Sequence, residues 1–97
     1  MAIHDPDEPV YTIGVMARLL GCSAQVLREW ERDGLVRPHR TETGNRLYSD
    51  EDYVRLMRIQ ALTRRGINRA GVRAILELED ALERAAGKVG EQQWQRS

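Results

Sequence analysis

The stretch Ser23-Ala24-Gln25-Val26-Leu27-Arg28-Glu29-Trp30 decides how the rest of the chain is read. It follows a short amphipathic segment and a tight turn at Gly21, and Ser23 stands where the N-cap of a second helix belongs. Helix, Gly-containing turn and capped helix, in that order, form the pattern of a helix-turn-helix. Within the second helix Ala24, Leu27 and Trp30 recur at the spacing one buried face requires. Gln25, Val26, Arg28 and Glu29 are left to point elsewhere. They are an amide, a methyl-bearing side chain, a cation and an acceptor, a mixture suited to base edges and phosphates.

Working outward toward the N-terminus, the spacing predicts a first helix over Tyr11–Leu20, with Thr12 as N-cap and Ile13, Met16, Ala17 and Leu20 facing inward. Val15 stands where a full capping box would have Glu, so that cap is half made. Cys22, alone and flanked by the turn, reads as a small core residue rather than a redox sensor. Toward the C-terminus, Gly34 closes the second helix in the left-handed conformation. Leu35–Pro38 reads as extended, Thr41–Asn45 as a polar turn containing Gly44, and Arg46–Tyr48 as a returning strand. Such a hairpin after a helix-turn-helix is a wing.

Ser49 and Asp52 form a variant of the capping box for a third helix that runs to Gly66. Its expected inner face is Val54, Met57, Ala61 and Leu62, with Arg55, Arg58, Arg64 and Arg65 outside. Asn68 caps a fourth helix, in which Val72, Ile75, Leu76 and Leu78 are expected to be buried. Ile75, Leu78, Leu82, Ala85 and Val89 then alternate at a/d spacing, with Gly87 interrupting the seam. Either this seam pairs two copies, through Ile75, Leu78, Leu82 and Ala85, or the helix end packs on its own domain. The organisation expected is a disordered arm over 1–10, a winged helix-turn-helix domain over 11–79, and a helix extension with a tail fraying from Gly90, including Trp94, over 80–97. The fold class is mainly α with a small β-hairpin: four helices plus a wing.

Ninety-seven residues suffice for one small core, and with no Phe, two Trp and three Tyr that core must be mainly aliphatic. No apolar run approaches the roughly 20 residues of a membrane-spanning helix. Asp5, Asp7 and Glu8 occupy the place of a signal peptide's cations, so a cytoplasmic protein is expected. One cysteine excludes an internal disulfide, and no metal site or cofactor is expected. His4 falls in the arm and His39 in the wing, and no nucleophile or carboxylate pair has a partner at motif spacing, so no catalytic residue is assigned. The formal net charge of zero conceals segregation: −3 over residues 1–10, +5 over 11–76 and −2 over 77–97. All the cations of the middle segment are Arg, the side chain matched to phosphate and guanine.

Tyr11-Thr12-Ile13-Gly14, Leu27-Arg28, Glu31-Arg32-Asp33-Gly34-Leu35, Pro38, Arg40-Thr41-Glu42-Thr43-Gly44, Arg46-Leu47-Tyr48-Ser49 and Asp52, in this order, resemble the DNA-binding domain of MerR-family transcription regulators. The stretch Gly66–Glu79 is similar to that of heat-shock repressors of the HspR type. The resemblance implies a winged helix-turn-helix that binds double-stranded DNA as a two-fold homodimer, with the second helix in the major groove and the wings on flanking backbone or minor groove; the short seam interrupted at Gly87 makes the expected dimer weak off DNA. It also implies a phosphate contact for Arg28, packing or backbone contacts of the wing for Arg46 and Tyr48, and base contacts for Gln25 and Val26. With the cap and the rest of the motif, the candidate DNA-contacting set is Ser23, Gln25, Val26, Arg28, Glu29, Trp30, Arg40, Arg46 and Tyr48.

Glu29 and Trp30 depart from the two tyrosines many family members carry after the arginine. Glu29 either accepts from a cytosine amino group or pairs with a nearby Arg, the pairing being the expectation. Trp30 either holds a phosphate or, as expected, packs beneath the wing. Neither the cysteine ligands of the family's metal sensors nor the ligand domain of its drug sensors follows residue 79. The expectation is a regulator, most simply a repressor of stress and chaperone genes, controlled by abundance or by a partner, which the resemblance implies to be the DnaK chaperone as co-repressor. Two other functions fit the same fold: an architectural DNA-binding protein of the excisionase type and a protein-interaction module.

Overall fold

Thr12 both closes a strand and opens a helix. Its backbone pairs in β1 (Tyr11–Thr12), while its Oγ1 accepts the Val15 N–H at 3.2 Å to cap α1 (Ile13–Leu20). The computed structural model describes residues 4–96, with side chains described through residue 87. After α1 come α2 (Ala24–Arg32), β2 (His39–Arg40), β3 (Arg46–Tyr48), α3 (Asp50–Arg64) and α4 (Arg69–Arg96). The strands form one antiparallel sheet in the order β1-β3-β2, with Tyr11 opposite Tyr48 and Arg40 opposite Arg46.

The helix boundaries follow from local chemistry. Ser23 Oγ accepts the Val26 N–H at 3.2 Å and starts α2. Gly34, at φ 76°, ends it: its N–H and that of Leu35 return to the carbonyls of Glu31 and Trp30. A Cβ at Gly34 would also meet the Arg73 guanidinium at 3.2 Å, so the position is restricted by both conformation and space. Ser49 and Asp52 make the full reciprocal capping box of α3, and Asn68 Oδ1 accepts the Gly71 N–H at 2.8 Å at the start of α4.

One buried cluster joins Met16, Ala17 and Leu20 of α1, Leu27 and Trp30 of α2, Leu35, Val36 and Tyr48 of the wing region, Leu56, Ile59 and Leu62 of α3, and Val72 and Leu76 of α4. Several expectations are corrected by it. The inner face of α3 is Leu56, Ile59 and Leu62; Val54, Met57 and Ala61 are exposed. Apolar residues surround this helix, so two stripes compete in the sequence, and the flanking polar contacts select between them. Arg55, expected outside, donates through Nε to the Leu35 carbonyl at 2.6 Å and pairs with Asp80, while Gln60 Nε2 donates to the Leu20 carbonyl at 2.8 Å. Leu78, expected to be buried, is exposed; α4 leaves the core after Leu76.

Leu35–Pro38 is not a strand. Leu35 and Val36 are drawn into the core, and the Leu35 carbonyl is taken by Arg55. The outer strand of the wing therefore falls later, at His39–Arg40. Tyr11, expected inside the first helix, instead pairs in β1, because Val10 donates its N–H to the Tyr48 carbonyl and carries the pairing forward. Residues 4–10, expected as part of a disordered arm, lie against the start of α3: His4 Nε2 is 2.9 Å from Asp50 Oδ2, and the Pro6 carbonyl accepts the Glu51 N–H at 3.0 Å. Helix α4 continues through Gly87 and Gly90 to Arg96; the expectations for the side chains of Val89 and Trp94 lie outside those described.

Candidate nucleic-acid interface

The outward face of α2 is set by what its inward face buries. With Leu27 and Trp30 in the core, Gln25, Arg28, Glu29 and Arg32 share one exposed stripe at helical spacing. Val26 is half-buried and packs partly against the core, so only part of its side chain remains for a ligand. Ser23 uses its hydroxyl as the helix cap.

Among the described residues Arg28 and Arg32 have no ion-pair partner, nor do Arg18 at the end of α1, Arg37 before the wing, or Arg64 and Arg65 at the end of α3. Three other cations are neutralised instead: Arg55 and Arg58 of α3 by Asp80 and, at 2.6 Å, Glu79 of α4, and Arg69 at the start of α4 by Asp33 at 3.0 Å. A chain of zero formal charge thus presents two unpaired guanidinium groups on the exposed face of α2, with further ones on α1, before the wing and at the end of α3. Arg32 lies outside the candidate set, although its place four residues after Arg28 and seven after Gln25 carries the signal.

The wing is held to α2 by Glu31. Its carboxylate accepts from Arg46 Nε at 2.5 Å and from an Arg40 terminal nitrogen at 2.9 Å, and Arg40 also donates to the Gly44 carbonyl at 3.0 Å. Both wing arginines of the candidate set are therefore engaged within the chain. Glu29, expected to pair with an Arg, has no ion-pair partner among the described residues; the pairing belongs to Glu31, whose side chain lies beside the wing. Burial tends to raise the Glu31 pKa, but hydrogen bonds and charge from Arg46 and Arg40 outweigh it and hold the carboxyl below its usual range. A depressed folded value contributes stability above the ordinary carboxylate pKa of about 4.3 and loses it as pH falls through the folded value. Acid titration of a Glu31→Gln variant is accordingly expected to show a shallower loss of stability below about pH 4.3 than the wild type, read as denaturant midpoints against pH.

Trp30 and Tyr48 belong to the core. Trp30 is 9% exposed and Tyr48 fully buried, so neither presents a ring to a ligand. The Tyr48 hydroxyl has no hydrogen-bond partner among the described residues, and burial pushes the phenol up to about 12 against the opposing charge of Arg46. An unpaired buried hydroxyl costs roughly 1–3 kcal/mol, so Tyr48→Phe is expected to leave stability unchanged or raise it by about 1 kcal/mol. A urea titration that showed a clear loss would reveal a partner for that oxygen. Burial also raises the Cys22 thiol, which disfavours the reactive thiolate and agrees with a packing role. On α4 Ile75 packs at the edge of the core, whereas Leu78, Leu82 and Ala85 are exposed, the two leucines by 62% and 61%.

Residues 11–79 match the family described as MerR HTH family regulatory protein. The chain is 42% identical over 86 residues to the putative heat shock protein HspR of Streptomyces coelicolor, covering 88% of this chain and 57% of that protein. It is 35% identical over 72 residues to the HTH-type transcriptional regulator GlnR of Bacillus anthracis, covering 74% of this chain and 56% of that one. The chain therefore spans little more than half the length of these relatives. Among solved structures, HiNmlR, a MerR family regulator lacking the sensor domain and bound to promoter DNA, superposes with a TM-score of 0.67 at 29% identity over 84% of this chain and 66% of that one. PbrR691 from Ralstonia metallidurans CH34, in complex with lead(II), gives 0.70 at 29% identity over 84% and 65%. The family match over 11–79 and the sheet-and-helix arrangement described above agree: the chain belongs to the MerR family of helix-turn-helix transcription regulators.

Proposed function

We propose that the chain binds duplex DNA sequence-specifically as a two-fold dimer and represses stress genes, with residues 11–79 as the DNA-binding unit. The observation that carries the DNA-binding part is the exposed α2 stripe of Gln25, Arg28, Glu29 and Arg32, beside a wing tied to the same helix through Glu31. In this reading Arg28 and Arg32 contact phosphate, Gln25 pairs with a base edge, Val26 offers a methyl contact, and Glu29 accepts from a cytosine amino group. The wing lies on flanking backbone. Ser23 contributes through the cap, and Trp30 and Tyr48 contribute through packing. Leu78, Leu82 and Ala85, with Ile75 at the core edge, supply the apolar seam between two copies. The stress-gene part rests on similarity to the heat shock relative. The protein then acts on the nucleoid in the cytoplasm, with a DnaK-type chaperone as co-repressor.

Selection of bound duplexes from a random library is expected to enrich two inverted half-sites at fixed spacing. Direct repeats would point to head-to-tail, architectural assembly, and no enrichment would remove the sequence-specific reading. On the selected site Gln25→Ala is expected to relax preference at one base position, costing roughly 1–3 kcal/mol there and little on random DNA. Equal losses on both would take base recognition away from Gln25. A purified DnaK that left the DNA affinity unchanged would remove the co-repressor.

A further inference from the structure

We infer that Glu31 is a specificity-determining positioning residue: it touches no DNA, but it withholds the wing arginines from indiscriminate phosphate binding and fixes the wing relative to the reading helix. The inference rests on the DNA-binding reading above. Glu31 sits on α2 outside the exposed stripe, half-buried, with one carboxylate oxygen on Arg46 and the other on Arg40. Those two arginines lie opposite each other on β3 and β2, so a single side chain of the reading helix fastens both strands of the wing. Arg46 is 21% exposed and stays beneath the wing, whereas Arg40 is 45% exposed and is the cation that neutralising Glu31 would release.

Two consequences of opposite sign follow. Binding to random DNA is dominated by the number of cations available to phosphates, and here an exposed one, Arg40, is already committed to a carboxylate. Binding to the proper site needs the recognition helix and the wing to meet groove and flanking backbone together, which a fixed angle between them favours. The carboxylate therefore lowers affinity for the wrong duplex and supports affinity for the right one, a form of discrimination built from withheld charge.

The experiment compares wild type, Glu31→Gln, Glu31→Asp and Glu31→Gln/Arg40→Gln on the library-selected duplex and on a random duplex of equal length, by fluorescence anisotropy at moderate salt. Glu31→Gln keeps the shape of the side chain. It is expected to raise random-DNA affinity about three- to tenfold, as one or two added phosphate contacts per dimer would, and to lower affinity for the selected site. Adding Arg40→Gln is expected to return random-DNA affinity to the wild-type level. Glu31→Asp, which keeps the charge and shortens the reach, is expected to weaken the selected site while leaving random DNA near wild type. Equal losses on both duplexes would assign Glu31 a merely structural role and overturn the inference, as would unchanged discrimination beside a discriminating wild type. A wild type that bound neither duplex would overturn the DNA-binding reading and this inference with it.

Discussion

Trp30→Ala is expected to lower folding stability by about 3–5 kcal/mol, the cost of removing a large aromatic side chain from a packed interior. Total stabilities of small domains are roughly 5–15 kcal/mol, so the variant would sit near the unfolding threshold at ordinary temperature. Trp30 belongs to the same buried cluster as Leu27, Leu35 and Tyr48 and is 9% exposed. Nothing else is positioned to fill the space, because α2 is held at both ends, by Ser23 at its start and by Arg69 and Arg73 on Asp33 at its end. Urea denaturation followed by circular dichroism measures the effect. Trp30→Phe, which retains a ring, is expected to lose less. Were Trp30 instead a phosphate contact, Trp30→Ala would keep wild-type stability and lose DNA affinity, and that pair of results would return it to the interface.

The second large effect is on binding. Arg28→Ala/Arg32→Ala is expected to leave folding nearly unchanged, since both side chains are exposed and unpaired among the described residues. A dimer would lose four phosphate contacts, and each contributes about 0.9 to the slope of log affinity against log salt. The slope should therefore fall by about 3 to 4, and affinity at physiological salt by about two to three orders of magnitude. Because phosphates carry no sequence information, the loss should be similar on selected and random duplexes. Salt titrations of both duplexes provide the measurement. A loss confined to the selected duplex would make one of these arginines a base reader, with guanine its natural partner.

Arg32 also illustrates what can be read from sequence. Helical periodicity alone places it with Gln25, Arg28 and Glu29, one turn further along the same stripe. Glu31 is different. It shares no face with that stripe, and its partners lie nine and fifteen residues away across a turn, where no local pattern points to them. The same distinction separates Trp30 and Tyr48 from the arginines: the motif marks all of them, but only packing shows that the aromatic pair belongs to the core.

By itself, the sequence determined the elements whose causes are local. Thr12, Ser23, Ser49 with Asp52, Asn68 and Gly34 act within a few residues of themselves, and they place the helix ends where caps and a left-handed turn require. It also determined the family, because the order of motif residues from Tyr11 to Asp52 is a property of the chain. Tertiary structure alone decided which stripe of α3 faces the core, since that helix is apolar on every side and Arg55, Arg58 and Gln60 choose the face by what they reach on other elements. It decided that Leu35 and Val36 are core rather than strand, and that Tyr11 pairs with Tyr48 across thirty-seven residues. It decided as well that Arg40 and Arg46 are held by Glu31, because charge pairing over such separations depends on where the packed helices bring the wing.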